Sequence, residues 1–241
     1  MDAVKIFVCE QATRLRVDGA LCEAGPGQLL VSGGRGQVEA VDDTCLCLTV
    51  FDADFKVIYP ELADLVDPAT PVMAFKPEPL RRIAAEAEVL RVVAVLADAN
   101  RNAMLRFVFV FCLGHDRRYF SALLRQRAIG DPHFFEFIAN NSLNPWSVTR
   151  YAEELGIPLR KFNELFVEKY GVSAKHWLLE HRLQHARGLL VMTRQRVVDI
   201  ALECGFSNHA HFADSFKRRF GLSPSSWRQS GRPVGDRSLC G

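Results

Sequence analysis

Two clusters of polar side chains carry the chemistry of this 241-residue chain. Arg160, Lys161, Asn163 and Glu164 form one. His209, Ala210, His211, Asp214, Lys217 and Arg218 form the other, about fifty residues on. Arginine forks onto a guanine edge, asparagine suits adenine, carboxylates accept from the cytosine amino group, and lysine holds phosphate as a point charge. The clusters therefore point to recognition of base edges and phosphates rather than to bond making. Arg160, Asn163, Glu164, His209, His211 and Asp214 are the expected base readers, and Lys161, Ser147, Thr149, Asn208, Lys217 and Arg218 the expected phosphate contacts. For Glu164 and Asp214 an intrahelical pair, with neighbours such as Lys161 and Arg218, is favoured over a base contact. His209 and His211 stand two apart, about 200° around a helix, so they do not converge on a metal ion.

These side chains have to be held by helices, and the sequence repeats the same helical unit twice. Val148, Tyr151, Ala152, Leu155 and Gly156 recur 49 positions later as Val197, Ile200, Ala201, Cys204 and Gly205. Phe162, Phe166, Tyr170, Gly171, Ser173 and Trp177 recur 50 positions later as Phe212, Phe216, Phe220, Gly221, Ser223 and Trp227. In each copy an apolar stripe with a small alanine ends at a glycine, and a second, amphipathic helix follows: the pattern of a helix-turn-helix. The first copy's second helix is predicted to begin near Pro158, and the second's near Ser207 or Asn208, either of which can cap it. A long helix is predicted from Ala174 to about Met192, setting the spacing of the two readers. Two such units suggest a protein that reads adjacent stretches of double-stranded DNA, about one helical turn or ~34 Å apart.

The AEELG run (152–156), FNELFVEKYGVS (162–173), the Arg182–Leu190 helix, DIALECGFSNHAHFADSFKRRFGLSP (199–224) and Trp227-Arg228 together resemble the AraC/XylS family of bacterial transcription regulators. The resemblance covers about a hundred residues, and the GFSNxxHFxxxFKRRFGxSP signature makes it specific. It implies a seven-helix domain whose two recognition helices enter successive major grooves, and recruitment of RNA polymerase by the bound protein. The family's base-reading positions map onto Arg160, Asn163, Glu164, His209, Ala210, His211 and Asp214. The stretch RFVFVFCLGHDRRYFSALLR (106–125) resembles the connector of the subgroup controlling type III secretion genes. That likeness implies activation of virulence operons, with gating by a protein such as a secretion chaperone.

The rest of the chain reads differently. Net charge is −6 over residues 1–77, +3 over 78–132 and +5 over 133–241, so a basic domain follows an acidic one. VKIFVC, RLRV, QLLVS, QVEAV and CLCLTVF are short strands separated by AGPG, SGGRG and DD turn signals. The expected fold class is α+β: a small β-rich, cupin-like regulatory domain (1–77), a helical connector with possible homodimerisation (78–130), an all-α double helix-turn-helix domain (131–229) and a flexible tail (230–241). Helices are predicted over Pro79–Ala97 and Arg101–Arg127, the apolar run Phe107–Leu113 marking a buried core helix. All seven histidines lie at His115 or later, which argues against a metal-binding cupin.

The seven cysteines show no CxxC or zinc spacing, and the apolar neighbours of Cys45 and Cys47 favour buried structural thiols over a redox pair. No phosphate loop, paired catalytic carboxylates or nucleophile elbow occurs, so neither an enzyme nor a cofactor is expected. No signal peptide opens the chain and no apolar run reaches the ~18 residues of a membrane span. A cytoplasmic protein with reduced thiols is expected. The leading expectation is a sequence-specific transcription activator; the alternative is a regulator of the same fold that senses a small molecule.

Overall fold

In the strand Val4–Cys9 (β1), alternate side chains are buried on both faces of the sheet. Val4, Ile6 and Val8 join a large core with helical residues, and Phe7 and Cys9 join a second cluster with Leu15, Leu30 and Val38. Period-two alternation puts successive residues on opposite faces, so such a strand must be covered twice. The computed structural model describes residues 3–33, 36–69 and 75–230. Part of the SGGRG turn, Cys240 and all but the first residue of the expected 230–241 tail lie outside the described residues. The chain divides into two compact units, one of residues 1–130 and 168–171, the other of the remainder.

The first unit contains Thr13–Val17 (β2), Ala20–Ala24 (β3), Gln28–Ser32 (β4), Val38–Ala40 (β5) and Leu46–Val50 (β6). Asp52–Leu62 (α1), Leu80–Ala84 (β7), Ala87–Ala99 (α2), Arg101–His115 (α3) and Arg117–Ile129 (α4) complete it. One sheet runs β6-β1-β4-β7 and the other β3-β2-β5, with every pairing antiparallel. The helices cover the first sheet: Phe55 and Ile58 of α1, Leu90 and Val93 of α2, Leu105, Val108 and Phe109 of α3, and Phe120 and Leu123 of α4 share its core. Arg127 donates to Asp52 at 3.1 Å, a buried pair that ties α4 to the first turn of α1. The Phe107–Leu113 run lies inside α3, with Val108, Phe109, Cys112 and Leu113 buried.

Three expectations need correcting. The single helix predicted over Arg101–Arg127 breaks at Asp116 into α3 and α4, because the Asp116 side chain caps the second. The helix predicted from Pro79 is a strand at its start: Leu80–Ala84 pairs with β4, Ile83 opposite Leu29, and the helix begins only at Ala87. Its helical stripe was misleading because Leu80, Ile83, Ala84 and Ala87 satisfy a 3.6-residue period, while sheet pairing set the conformation of 80–84. Helix α1 was not foreseen; it starts after Phe51, whose backbone N–H donates to Asp54 at 2.8 Å. Of the two neighbouring thiols, Cys45 is half-buried but Cys47 is exposed, not buried. Cys47 sits on β6, an edge strand with only β1 beside it.

The second unit is all helical: Pro132–Asn141 (α5), Val148–Glu154 (α6), Leu159–Tyr170 (α7), Ala174–Met192 (α8), Val197–Glu203 (α9), His209–Phe220 (α10) and Pro224–Ser230 (α11). Around α6 and α7, Phe134, Tyr151, Phe162 and Phe166 form a ring cluster with centroids 5.4–6.4 Å apart. Around α9 and α10, Ile200, Ala201, Cys204, Phe212 and Phe216 pack on Leu183, Ala186 and Leu190 of α8. Burial pushes the Cys204 thiol up to about 12, in keeping with a core residue in the place of Leu155. No described helix is long and apolar enough to cross a membrane.

Candidate nucleic-acid interface

The two turns that lead into α7 and α10 repeat atom by atom. In the first, Gly156 N–H donates to the Glu153 carbonyl at 2.9 Å and Ile157 N–H to Ala152 at 3.1 Å. In the second, Gly205 N–H donates to Leu202 at 3.0 Å and Phe206 N–H to Ala201 at 2.9 Å. Both glycines are left-handed, with φ of 68° and 77°. This conformation favours glycine and satisfies the last carbonyls of α6 and α9.

From these turns α7 and α10 present the expected side chains outward. Arg160, Lys161, Asn163 and Glu164 are exposed on α7, and His209, Ala210, His211, Asp214, Lys217 and Arg218 on α10. Phe162 and Phe166, and Phe212 and Phe216, point the other way and are buried. Ser147, Thr149 and Asn208 are exposed too, but two of them already hold backbone. The Ser147 hydroxyl accepts from Arg150 N–H at 3.2 Å, and Asn208 Oδ1 accepts from Ala210 and His211 N–H at 2.8 and 3.2 Å. Each therefore caps its helix and leaves other atoms for a phosphate.

The acids do not behave alike. Glu164 pairs within its helix, but its hydrogen-bond partner is Arg160, whose Nε donates to it at 2.8 Å, and not Lys161. The guanidinium beside it holds the Glu164 carboxyl below its usual range. Asp214 has no ion pair with Arg218 among the described residues, which corrects the second expected pair. Spacing does not explain the difference, since both pairs stand four apart and the acid-first order of Asp214 and Arg218 is the more favourable one on a helix. Arg218 also lines a cleft with Glu180 and Arg219 on the α8 side of α10.

Two arginines not singled out from the sequence build the frame. Arg219 Nε donates to both carboxylate oxygens of Glu180, at 2.9 and 2.7 Å, fastening α10 to α8. Arg182 of α8 donates to the carbonyls of Ser142 and Asn144 and to Tyr151 Oη, gripping the loop that leads into α6. Arg182 is one of several polar residues on α8, and nothing local to it marks it as a clamp on the 142–144 segment. Next to Arg182 lies a cleft of about 440 Å³, lined among others by Trp146, Ser147, Lys175, Ser207 and His211. It brings the start of α6, α8 and the start of α10 onto one concave surface with two cations and a histidine, and no carboxylate, in its lining.

Residues 151–230 match the family model described as a helix-turn-helix domain, and they contain both turns just described. The chain is 28% identical to the "HTH-type transcriptional regulator ExsA" of Pseudomonas aeruginosa, over 95% of this chain and 86% of that protein. It is 41% identical over 93 residues to the "Virulence regulon transcriptional activator VirF" of Yersinia enterocolitica, covering 39% of this chain. Of that second relative the chain spans only 34%. Residues 151–230 thus form a helix-turn-helix domain of the AraC type. The protein is therefore a DNA-binding transcription regulator, with α7 and α10 as the second helices of its two helix-turn-helix units. Among solved structures, a Chromobacterium violaceum regulator with an AraC-type DNA-binding domain is 31% identical, with 45% of this chain and 99% of that one covered and a TM-score of 0.38.

Proposed function

We propose that the protein is a cytoplasmic AraC/XylS activator of virulence operons of the type III secretion class, gated through its N-terminal unit by a protein partner such as a secretion chaperone. It acts without catalysis or cofactor. The observation that carries this reading is the likeness to the Pseudomonas regulator over 95% of the chain, which takes in the N-terminal unit as well as the DNA-binding one. The Yersinia relative, a virulence-regulon activator by name, supports the same class. RNA polymerase is the expected downstream partner, and self-association through the N-terminal unit is an expected mode of assembly. A test of the gate is copurification from the native host. Recovery of no protein partner, together with a small molecule that raises the melting temperature of the full chain, would instead favour direct small-molecule sensing.

At the DNA, Arg160, Asn163, Glu164, His209, His211 and Asp214 read base edges, and Lys161, Ser147, Thr149, Asn208, Lys217 and Arg218 hold phosphates. In the free protein Arg160 is 91% exposed and paired through Nε, so its outer nitrogens remain available for a guanine while Glu164 steadies the fork. An exposed pair of this kind is weak and does not hold the side chain back from DNA.

The division of labour is open to measurement by selection of sites from randomised duplexes, followed by affinities on the selected site and on random DNA. Arg160→Ala is expected to weaken the selected site on the order of tenfold and to relax preference at one base pair, with little change on random DNA. Lys217→Ala is expected to weaken both DNAs alike and to lower the slope of log affinity against log salt by about one. Identical effects of the two substitutions on both DNAs would show that the roles are wrongly assigned.

A further inference from the structure

Helix α8 also carries a pair of imidazoles that DNA reading does not use. His181 and His185 stand four apart, and α8 is uninterrupted from Ala174 to Met192. Side chains at this spacing lie on one helical face, with Cβ atoms about 5–6 Å apart. Both residues are exposed, and no hydrogen bond to either ring is found among the described residues. The His181 ring is held in place: it stacks on Trp177, centroids 4.8 Å apart and planes 9° from parallel. The charged neighbours are engaged elsewhere, Glu180 with Arg219 and Gln184, and Arg182 with the Ser142 and Asn144 carbonyls.

The geometry points to a two-imidazole chelate on α8 for a divalent transition metal of the nickel, copper or zinc kind. The ligands suit that class: imidazole nitrogen is preferred by these ions, whereas magnesium and calcium take oxygen. No third His, Cys, Asp or Glu completes a cluster among the described residues, so the ion keeps water at its remaining positions. Binding exchanges two metal-bound waters for two ring nitrogens and involves no redox step. Because the second nitrogen is already placed by the helix, its binding is intramolecular, and the pair holds the ion far more tightly than either ring alone. The ion bridges one turn of the helix that joins the two reading units.

The site is tested on the full chain with Ni(II) chloride near neutral pH, in a non-chelating buffer with the thiols kept reduced. Calorimetry gives the affinity, and tryptophan fluorescence reports quenching at Trp177. His181→Asn and His185→Asn are each expected to weaken Ni(II) binding on the order of a hundredfold, the loss of a chelate's second contact. Both should also remove most of the quenching, while His133→Asn on α5 changes neither. His185→Asn should keep the wild-type melting temperature without metal, His181→Asn should lose only what its stack on Trp177 contributes, and in both the further gain in stability on adding Ni(II) seen in the wild type should be absent. Equal Ni(II) affinity in wild type and both asparagine variants, or quenching that survives in them, overturns the proposal.

Discussion

Gly205→Ala is expected to cost the DNA-binding unit about 3–5 kcal/mol, whereas Gly156→Ala, at the equivalent place in the first repeat, costs only about 1–2 kcal/mol. Both glycines are left-handed, and an alanine in that conformation is strained by the smaller amount in either turn. Around Gly156 an added Cβ meets nothing within 4 Å. At Gly205 the same atom collides with the Leu143 carbonyl oxygen and comes within 3.0 Å of the carbonyl carbon and 3.2 Å of Arg182 Nε. A backbone carbonyl cannot swing aside as a long side chain can, so the turn or the 142–146 loop has to move. Since α10 begins four residues after Gly205, the displacement should also misplace the second reading helix. Thermal unfolding of the two variants beside wild type, with affinity for the selected site, measures both effects. Equal melting temperatures for the two alanine variants would mean that the close approach at Gly205 is not maintained in solution.

Removing the Arg182 guanidinium is the second large effect. Arg182→Ala is expected to destabilise the same unit by about 2–4 kcal/mol. Nε donates to the Ser142 carbonyl at 3.1 Å and Nη2 to the Asn144 carbonyl and to Tyr151 Oη, the latter at 3.3 Å. Ser142 is buried, so its carbonyl would lose a donor with little access to water. Tyr151 keeps a 2.7 Å bond to the Asn141 carbonyl, which limits the loss there. Lysine carries the charge but not the planar fork, so Arg182→Lys should recover less than half of the stability. Chemical denaturation of both variants reads this out. A lysine variant as stable as wild type would show that the charge, and not the two-nitrogen grip, holds the loop.

These cases mark how far the residues alone carry the argument. The doubled helix-turn-helix was legible because its signals are local: apolar residues at helical spacing, glycine after the first helix, and Asn208 before the helix it caps. The outward faces of α7 and α10 followed from the same periodicity, since burial of Phe162, Phe166, Phe212 and Phe216 leaves only one side free. Periodicity failed at Leu80–Ala84, where a stripe compatible with a helix is drawn out as a strand by pairing with Gln28–Ser32, about fifty residues earlier. At α1 the helical spacing of Phe55, Ile58 and Leu62 was masked by Pro60, a residue that usually ends a helix.

Sequence by itself determined that two like units exist, where each turns, and which side chains α7 and α10 turn outward. Tertiary structure decided which of those like positions are equivalent in energy and which charges are free. Gly156 and Gly205 are one residue to a repeat pattern, yet only Gly205 is pressed against another segment's backbone. Glu164 and Asp214 are both acids on reading helices, yet only Glu164 is paired with the arginine four residues away. Arg182 gave no sign that it spans to Ser142 and Asn144, forty and thirty-eight residues back. The physical reason is range. Turns, caps and helical faces are fixed by interactions within a few residues, whereas a clash, a buried carbonyl's donor and a strand's partner depend on segments that only the folded chain brings together.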